Sequence, residues 1–167
     1  MKEKIKLVDG NIWELDLEAI LCHANTELEP EEETTKKIME KGGDDIQREC
    51  NKSTNLQKGK AIITCGGKLP IQYVIHVILN EAGGMADEDI LMIGMKEALN
   101  LAKEKQIKHL GIPMIGQSTE VPVKRAAELI LTEVKKHIEG ETSIEIVTFV
   151  ANDFYSYDAF EEGIRQL

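Results

Sequence analysis

The residues best suited to chemistry gather in a few short polar stretches. Asn11, beside Gly10, and Asn25, closing Cys22-His23-Ala24-Asn25, each carry a carboxamide that donates and accepts at once. Such a group suits an uncharged hydroxyl or a base edge; in a loop it equally serves to hold its own backbone in a turn. Glu31-Glu32-Glu33, after Pro30, act as general bases or bind Mg²⁺ if turned inward. Turned along the chain, they favour the start of a helix. Gly116-Gln117-Ser118-Thr119-Glu120 sets neutral donors beside a glycine, an arrangement able to meet an oxyanion. Cys22 next to His23 has the composition of a nucleophile–base pair, but neighbours on a strand point to opposite faces, which argues against it. His76, among β-branched residues, reads as a core histidine with its bonds satisfied.

The elements that hold these residues alternate. Ile5–Val8, Ala19–His23, Ala61–Cys65, Tyr73–Ile78, His109–Pro113 and Ile144–Val150 read as strands, several of them apolar on both faces. Between them the apolar residues fall at helical spacing over Asp87–Lys105, Pro122–Glu139 and Tyr155–Gln166. A shorter helix over Glu31–Lys41, opened by Pro30, ends at Gly42-Gly43, and a second follows at Asp44–Asn51. Strands alternating with helices predict an α/β layered fold on a mostly parallel sheet. Ligands in such folds sit beyond the carboxyl ends of the strands, which is where the polar stretches fall.

Composition narrows the function. With 167 residues and 42% hydrophobic content the chain has enough apolar mass for one folded domain. Thirty Asp and Glu against 20 Lys and Arg give a net charge of −10, which opposes broad binding to nucleic acid or anionic membrane. Cys22, Cys50 and Cys65 form no CxxC pair, so they are expected as small buried thiols in a reducing compartment, not as a metal site or disulfide framework. The N-terminus runs into a strand with no apolar signal core, and no apolar run approaches membrane-spanning length. A soluble, cytoplasmic protein is expected.

Four ordered runs now carry a family likeness. Val8-Asp9-Gly10-Asn11-Ile12 is similar to V-x-G-D-I, and Ala19-Ile20-Leu21-Cys22-His23-Ala24-Asn25 to A-I-V-N-A-A-N. Gly59 to Pro70, with Tyr73-Val74-Ile75-His76, is similar to G-x-A-x-x-T-x-G-G-x-L-P…Y-V-I-H, and Ile112-Pro113-Met114-Ile115-Gly116 to F-P-A-I-G. The sequence thus resembles the macro domain family over nearly its whole length. The resemblance implies a single domain over residues 1–167, built as a three-layer α/β/α sandwich on a six-stranded mixed, largely parallel sheet. Its implied ligand is ADP-ribose or a related nucleotide. Carried over by position, Asn25 is expected to bond the distal ribose. Asn11 stands for an Asp that accepts from the adenine amino group, with the Ile12 amide beside it, and Gly116, Gln117, Ser118 and Thr119 border the phosphates.

The departures from that pattern matter as much. Glu31-Glu32-Glu33 replaces glycines whose bare amides approach the pyrophosphate. A carboxylate about 5 Å from a phosphate charge costs on the order of 1 kcal/mol even in water-like surroundings. The carboxylates are expected to occupy the positive end of the following helix themselves. Ser118 replaces a second glycine, and Ala151 stands where many members carry an aromatic that stacks on adenine. Phe154 or Tyr155 either substitutes for it or packs on the sheet at a helix start. Cys22, Thr35 and Met39 hold the positions at which family hydrolases carry an Asn and a downstream Asp or His. The expected function is weak, non-catalytic nucleotide binding, with no catalytic residue, metal or cofactor assigned. Two alternatives stand beside it: an ADP-ribosyl hydrolase or ADP-ribose-1''-phosphate phosphatase, and an interaction module whose crevice is self-plugged.

Overall fold

Apolar runs too short for helices become the strands: β1 (Ile5–Asp9), β2 (Ala19–Asn25), β3 (Ala61–Cys65), β4 (Tyr73–Asn80), β5 (His109–Pro113) and β6 (Ile146–Ala151). Segments of helical period become α1 (Glu33–Gly42), α2 (Asp44–Cys50), α3 (Glu88–Glu104), α4 (Val123–Glu139) and α5 (Phe154–Arg165). The computed structural model describes residues 1–116 and 120–167; the predicted phosphate-side donors Gln117, Ser118 and Thr119 lie outside the described residues.

The strands form one six-stranded sheet in the order β1-β6-β5-β2-β4-β3. All neighbours are parallel except β3, which runs antiparallel to β4 at the edge. Both faces are covered, which is why the inner strands are apolar on both sides. On one face α3, α4 and α5 bury Leu21, Ile75, Val77, Leu110, Val147 and Phe149. Phe149 meets Phe160 of α5 with ring centroids 4.9 Å apart. On the other, α1 and α2 cover Ile20, Cys22, Val74 and Ile78. The result is the expected three-layer α/β/α sandwich. No described helix is long and apolar enough to cross a membrane.

Helix starts show where local sequence rules hold. Asp87 caps α3 by accepting from the Ile90 amide at 3.0 Å, and Asp153 caps α5 from Ser156 at 2.8 Å. The start of α1 differs from expectation. Pro30 does not open it; the helix begins at Glu33, with Glu32 at the N-cap making no side-chain capping bond. Glu33 does stand in the first turn of α1, as the sequence suggests, while Glu31 and Glu32 take partners at the ends of β2 and β4. Pro122 likewise sits one residue before α4.

His76 is the satisfied core histidine anticipated. The Thr64 hydroxyl donates to the Cys65 carbonyl at 3.0 Å, so its oxygen accepts from His76 Nε2 at 2.9 Å. That leaves Nδ1 to accept from the Cys22 thiol at 3.5 Å. Burial, opposed by the charge of Glu49, holds the ring at about 4, so it stays neutral. Cys22 and Cys50 are buried with their thiols pushed up, Cys50 to about 11, while Cys65 is only half-buried. Cys22 and Cys50 face opposite nitrogens of one imidazole, a geometry that gives a metal no common point of attachment.

Candidate functional site

The carboxyl ends of β1, β6 and β5 enclose a narrow crevice, bordered by Gly10, Ile12, Trp13, Thr34, Met114 and Asn152. Local sequence builds its rim. After β1 the chain turns at Gly10 and enters a short 3₁₀ turn over Ile12–Glu14, which sends Ile12 into the core and leaves Asn11 at the surface. Asn152, one residue past β6, donates to the Asn11 carboxamide oxygen at 3.4 Å. Asn152 is part of the crevice lining. The free volume there is only about 10 Å³, room for about one water.

Phe154 and Tyr155 flank this rim in the first turn of α5. They do not pack on the sheet: they are 75% and 76% exposed and meet edge to face at 5.6 Å. Of the two readings open for them, sheet packing is the one set aside. Ala151 ends β6 and is buried.

Asn25 lies deeper, at the end of β2, and its side chain works within its own loop. Its oxygen accepts from the Glu27 and Glu29 amides at 3.0 and 3.2 Å. Its nitrogen donates to the Glu29 carbonyl at 2.8 Å and to Glu31 at 2.5 Å. The carboxamide thus winds residues 25–31 into a tight loop in which Leu28 takes a left-handed backbone, φ 57°.

Opposite Asn25 in the parallel register stands Asn80, at the end of β4. Its nitrogen donates to Glu31 at 3.3 Å and to the Glu81 carbonyl at 2.8 Å. The Gly83 amide adds a bond to the second Glu31 oxygen at 3.0 Å. Asn25 is the main cause holding the Glu31 carboxyl below the ordinary range, against some burial, with Gly83, Asn80 and the His23 charge adding.

Behind Asn80 sits a buried charge pair. Glu32 turns inward onto His23 Nδ1, with both side chains about 4% exposed. His23 Nε2 meets the Asn80 oxygen at 2.5 Å. Ion-pair contact with Glu32 on Nδ1 and the Asn80 oxygen on Nε2 together favour the protonated ring. Burial opposes its charge, but the bond and charge of Glu32, then Asn80 and Glu31, outweigh it and raise the ring above its ordinary range. His23 and Cys22 diverge as strand alternation requires, so they form no nucleophile–base pair. Thr35 ties α1 to β2, donating to the His23 carbonyl at 2.7 Å.

Comparison with known proteins places this architecture. The family model described as Macro domain matches residues 23–130. The chain belongs to the macro domain family. A macro domain-containing protein of Caldanaerobacter subterraneus subsp. tengcongensis is 33% identical over 174 residues, covering 100% of this chain and 99% of that protein. One from Cupriavidus necator is 29% identical, with 97% and 98% covered. A Trypanosoma brucei macrodomain, solved in complex with ADP-ribose, is 25% identical and superposes with a TM-score of 0.86 over 95% of this chain and 68% of that one.

Within this macro domain, then, the site residues named from sequence divide into groups. Ile12 borders the crevice and Asn11 reaches it only through its bond to Asn152, Asn25 and Glu31 form a separate bonded cluster at the β2–β4 end, and Gly116 follows β5 with φ 113°. Asn80, Gly83, Asn152 and the His23–Glu32 pair went unrecognised as partners. One signal for Asn80 was present: a polar residue closing an apolar run, on a strand whose neighbour also closes in Asn.

Proposed function

We propose that this macro domain, one domain over residues 1–167, binds ADP-ribose or a related nucleotide, weakly and without turnover. The observation that carries the reading is the crevice rim, where the Asn11–Asn152 carboxamides sit beside the exposed Phe154–Tyr155 pair. Paired amide donors and acceptors suit the edge of adenine, and an exposed ring offers it a face. A related macrodomain solved with ADP-ribose supports the ligand class.

Weak affinity follows from the small free volume, since the crevice must open to admit a nucleotide and that cost subtracts from binding. The carboxylates nearest the distal end favour binding over hydrolysis. Glu32 is buried against His23, and Glu31 accepts from three donors that keep it ionised and engaged. A general base must reach a water, and both are committed elsewhere.

Calorimetry with ADP-ribose at millimolar concentration is expected to give heat, with a matching rise in melting temperature. Phe154→Ala with Tyr155→Ala is expected to weaken it by about 1–3 kcal/mol, the worth of one base–aromatic contact. No heat and no thermal shift in the wild type would remove the claim and leave the plugged interaction module. Incubation with a mono-ADP-ribosylated protein is expected to release nothing; a rate abolished by Glu32→Gln would establish a hydrolase instead.

A further inference from the structure

Three N–H donors from three separate segments converge on one carboxylate at the β2–β4 end of the sheet. Asn25 closes β2, Asn80 closes β4, and Gly83 follows in the turn after β4. Two donors meet one Glu31 oxygen at 2.5 and 3.3 Å and the third meets the other at 3.0 Å. We propose that Asn25, Asn80 and the Gly83 amide form a carboxylate receptor, which Glu31 fills as a tethered ligand and which takes an external monocarboxylate once Glu31 is out of it.

The donors are set independently of Glu31. The Asn80 oxygen is claimed by His23, which turns the nitrogen toward the receptor. The Asn25 oxygen is claimed by the Glu27 and Glu29 amides, with the same result. Gly83 has φ 74°, a backbone that presents its N–H and that other residues adopt only at a cost. Removing the carboxylate would leave three aimed donors facing an exposed position, because Glu31 itself is solvent-exposed.

Charge selects the ligand class. The cation behind the receptor, His23, is neutralised by Glu32 at close range, and Asn25, Asn80 and Gly83 contribute neutral dipoles. Such a site matches one negative charge spread over two oxygens better than the dianionic charge of phosphate, in a protein already at −10. Exchange is local. Glu31 lies in the loop before α1, outside any helix or strand, so release requires its side chain to turn into solvent. The receptor needs no nucleotide, and its residues line no part of the crevice at the ends of β1, β5 and β6.

Glu31→Ala vacates the receptor, and thermal melts in sodium acetate against sodium chloride of equal ionic strength test it. The variant is expected to show a saturable, acetate-specific rise of about 2–4 °C, absent from the wild type at the same concentrations. Its Gly83 amide resonance is expected to move back toward the wild-type position as acetate is added. A parallel arm with N-acetylglutamate α-amide distinguishes a protein-borne carboxylate from a small free acid: a larger shift there than with acetate identifies an acidic side chain as the ligand source. No acetate-specific shift, or a larger response to inorganic phosphate, overturns the proposal. Should Glu31→Ala not fold, Glu31→Ser, whose hydroxyl is too short to reach the donors, is titrated in the same way, and the same two outcomes decide.

Discussion

Glu32→Ala is expected to lower the free energy of unfolding by about 3–5 kcal/mol, the cost of removing one partner from a buried ion pair. Both side chains are about 4% exposed, so water does not replace the lost carboxylate. The imidazolium of His23 is then left with Asn80 alone, and it must either keep an uncompensated buried charge or lose its proton. Losing the Nδ1 proton leaves the Nε2–H still donating to Asn80, so the Glu31 cluster is expected to persist. Urea denaturation near pH 6 measures the loss. His23→Phe combined with Glu32→Leu is expected to recover most of it, since apolar replacement of a buried pair is often neutral or better. A cost below about 1 kcal/mol for Glu32→Ala, the range of exposed pairs, would refute the charged assignment.

The sign of the pH dependence gives a second handle on the same pair. His23 is raised above its unfolded value, so its contribution is complete below about pH 6.5 and is lost as the pH climbs through the folded value. Glu32→Ala is therefore expected to cost less in mildly alkaline solution than at pH 6.

This pair shows why the strands were legible and the site less so. Strand and helix positions follow from apolar spacing along the chain, and β3 and β5 match their predicted bounds at Ala61–Cys65 and His109–Pro113. The four matched runs carry the fold because they lie in the sheet and its turns. The start of α1 shows where local rules yield. Pro30 followed by acidic residues is a sound helix opening, but Asn25 claims the amides of Glu27 and Glu29 and donates to Glu31. The chain is thereby held in a loop until Glu32, and the helix starts after it. Asn80 and Gly83 acquire their roles only from the register of β2 against β4, some 55 residues apart in sequence. Glu32 lies nine residues from His23, across a turn whose path is itself set by Asn25. Glu31 and Glu32 are found in bonded and paired positions at the ends of β2 and β4, and those partners come from tertiary structure.

The acid side of the stability profile belongs to a different histidine. His76 donates through Nε2 to Thr64 and accepts at Nδ1 from Cys22, so a second proton would set an N–H against a thiol and place a charge in the core. Burial accordingly holds the ring at about 4, against 6.5 unfolded. Between those values the unfolded chain binds a proton that the folded one refuses, so stability falls as the pH drops from 6.5 toward 4 and levels off below it. At about 1.4 kcal/mol for each pH unit separating the two values, His76 alone removes about 3 kcal/mol by pH 4. Glu31, held below its ordinary range, adds a loss in the same direction at lower pH. His76→Gln takes up no proton, so whatever its stability at pH 7, its decline between pH 7 and pH 4 is expected to be shallower than the wild type's by that amount. Urea melts of both proteins across this range make the comparison. If Gln prevents folding, histidine ring NMR of the wild type replaces it, with His76 expected to remain the Nε2–H tautomer down to about pH 4. Equal slopes, or a ring that titrates near 6.5, would show that the buried histidine exerts no such control.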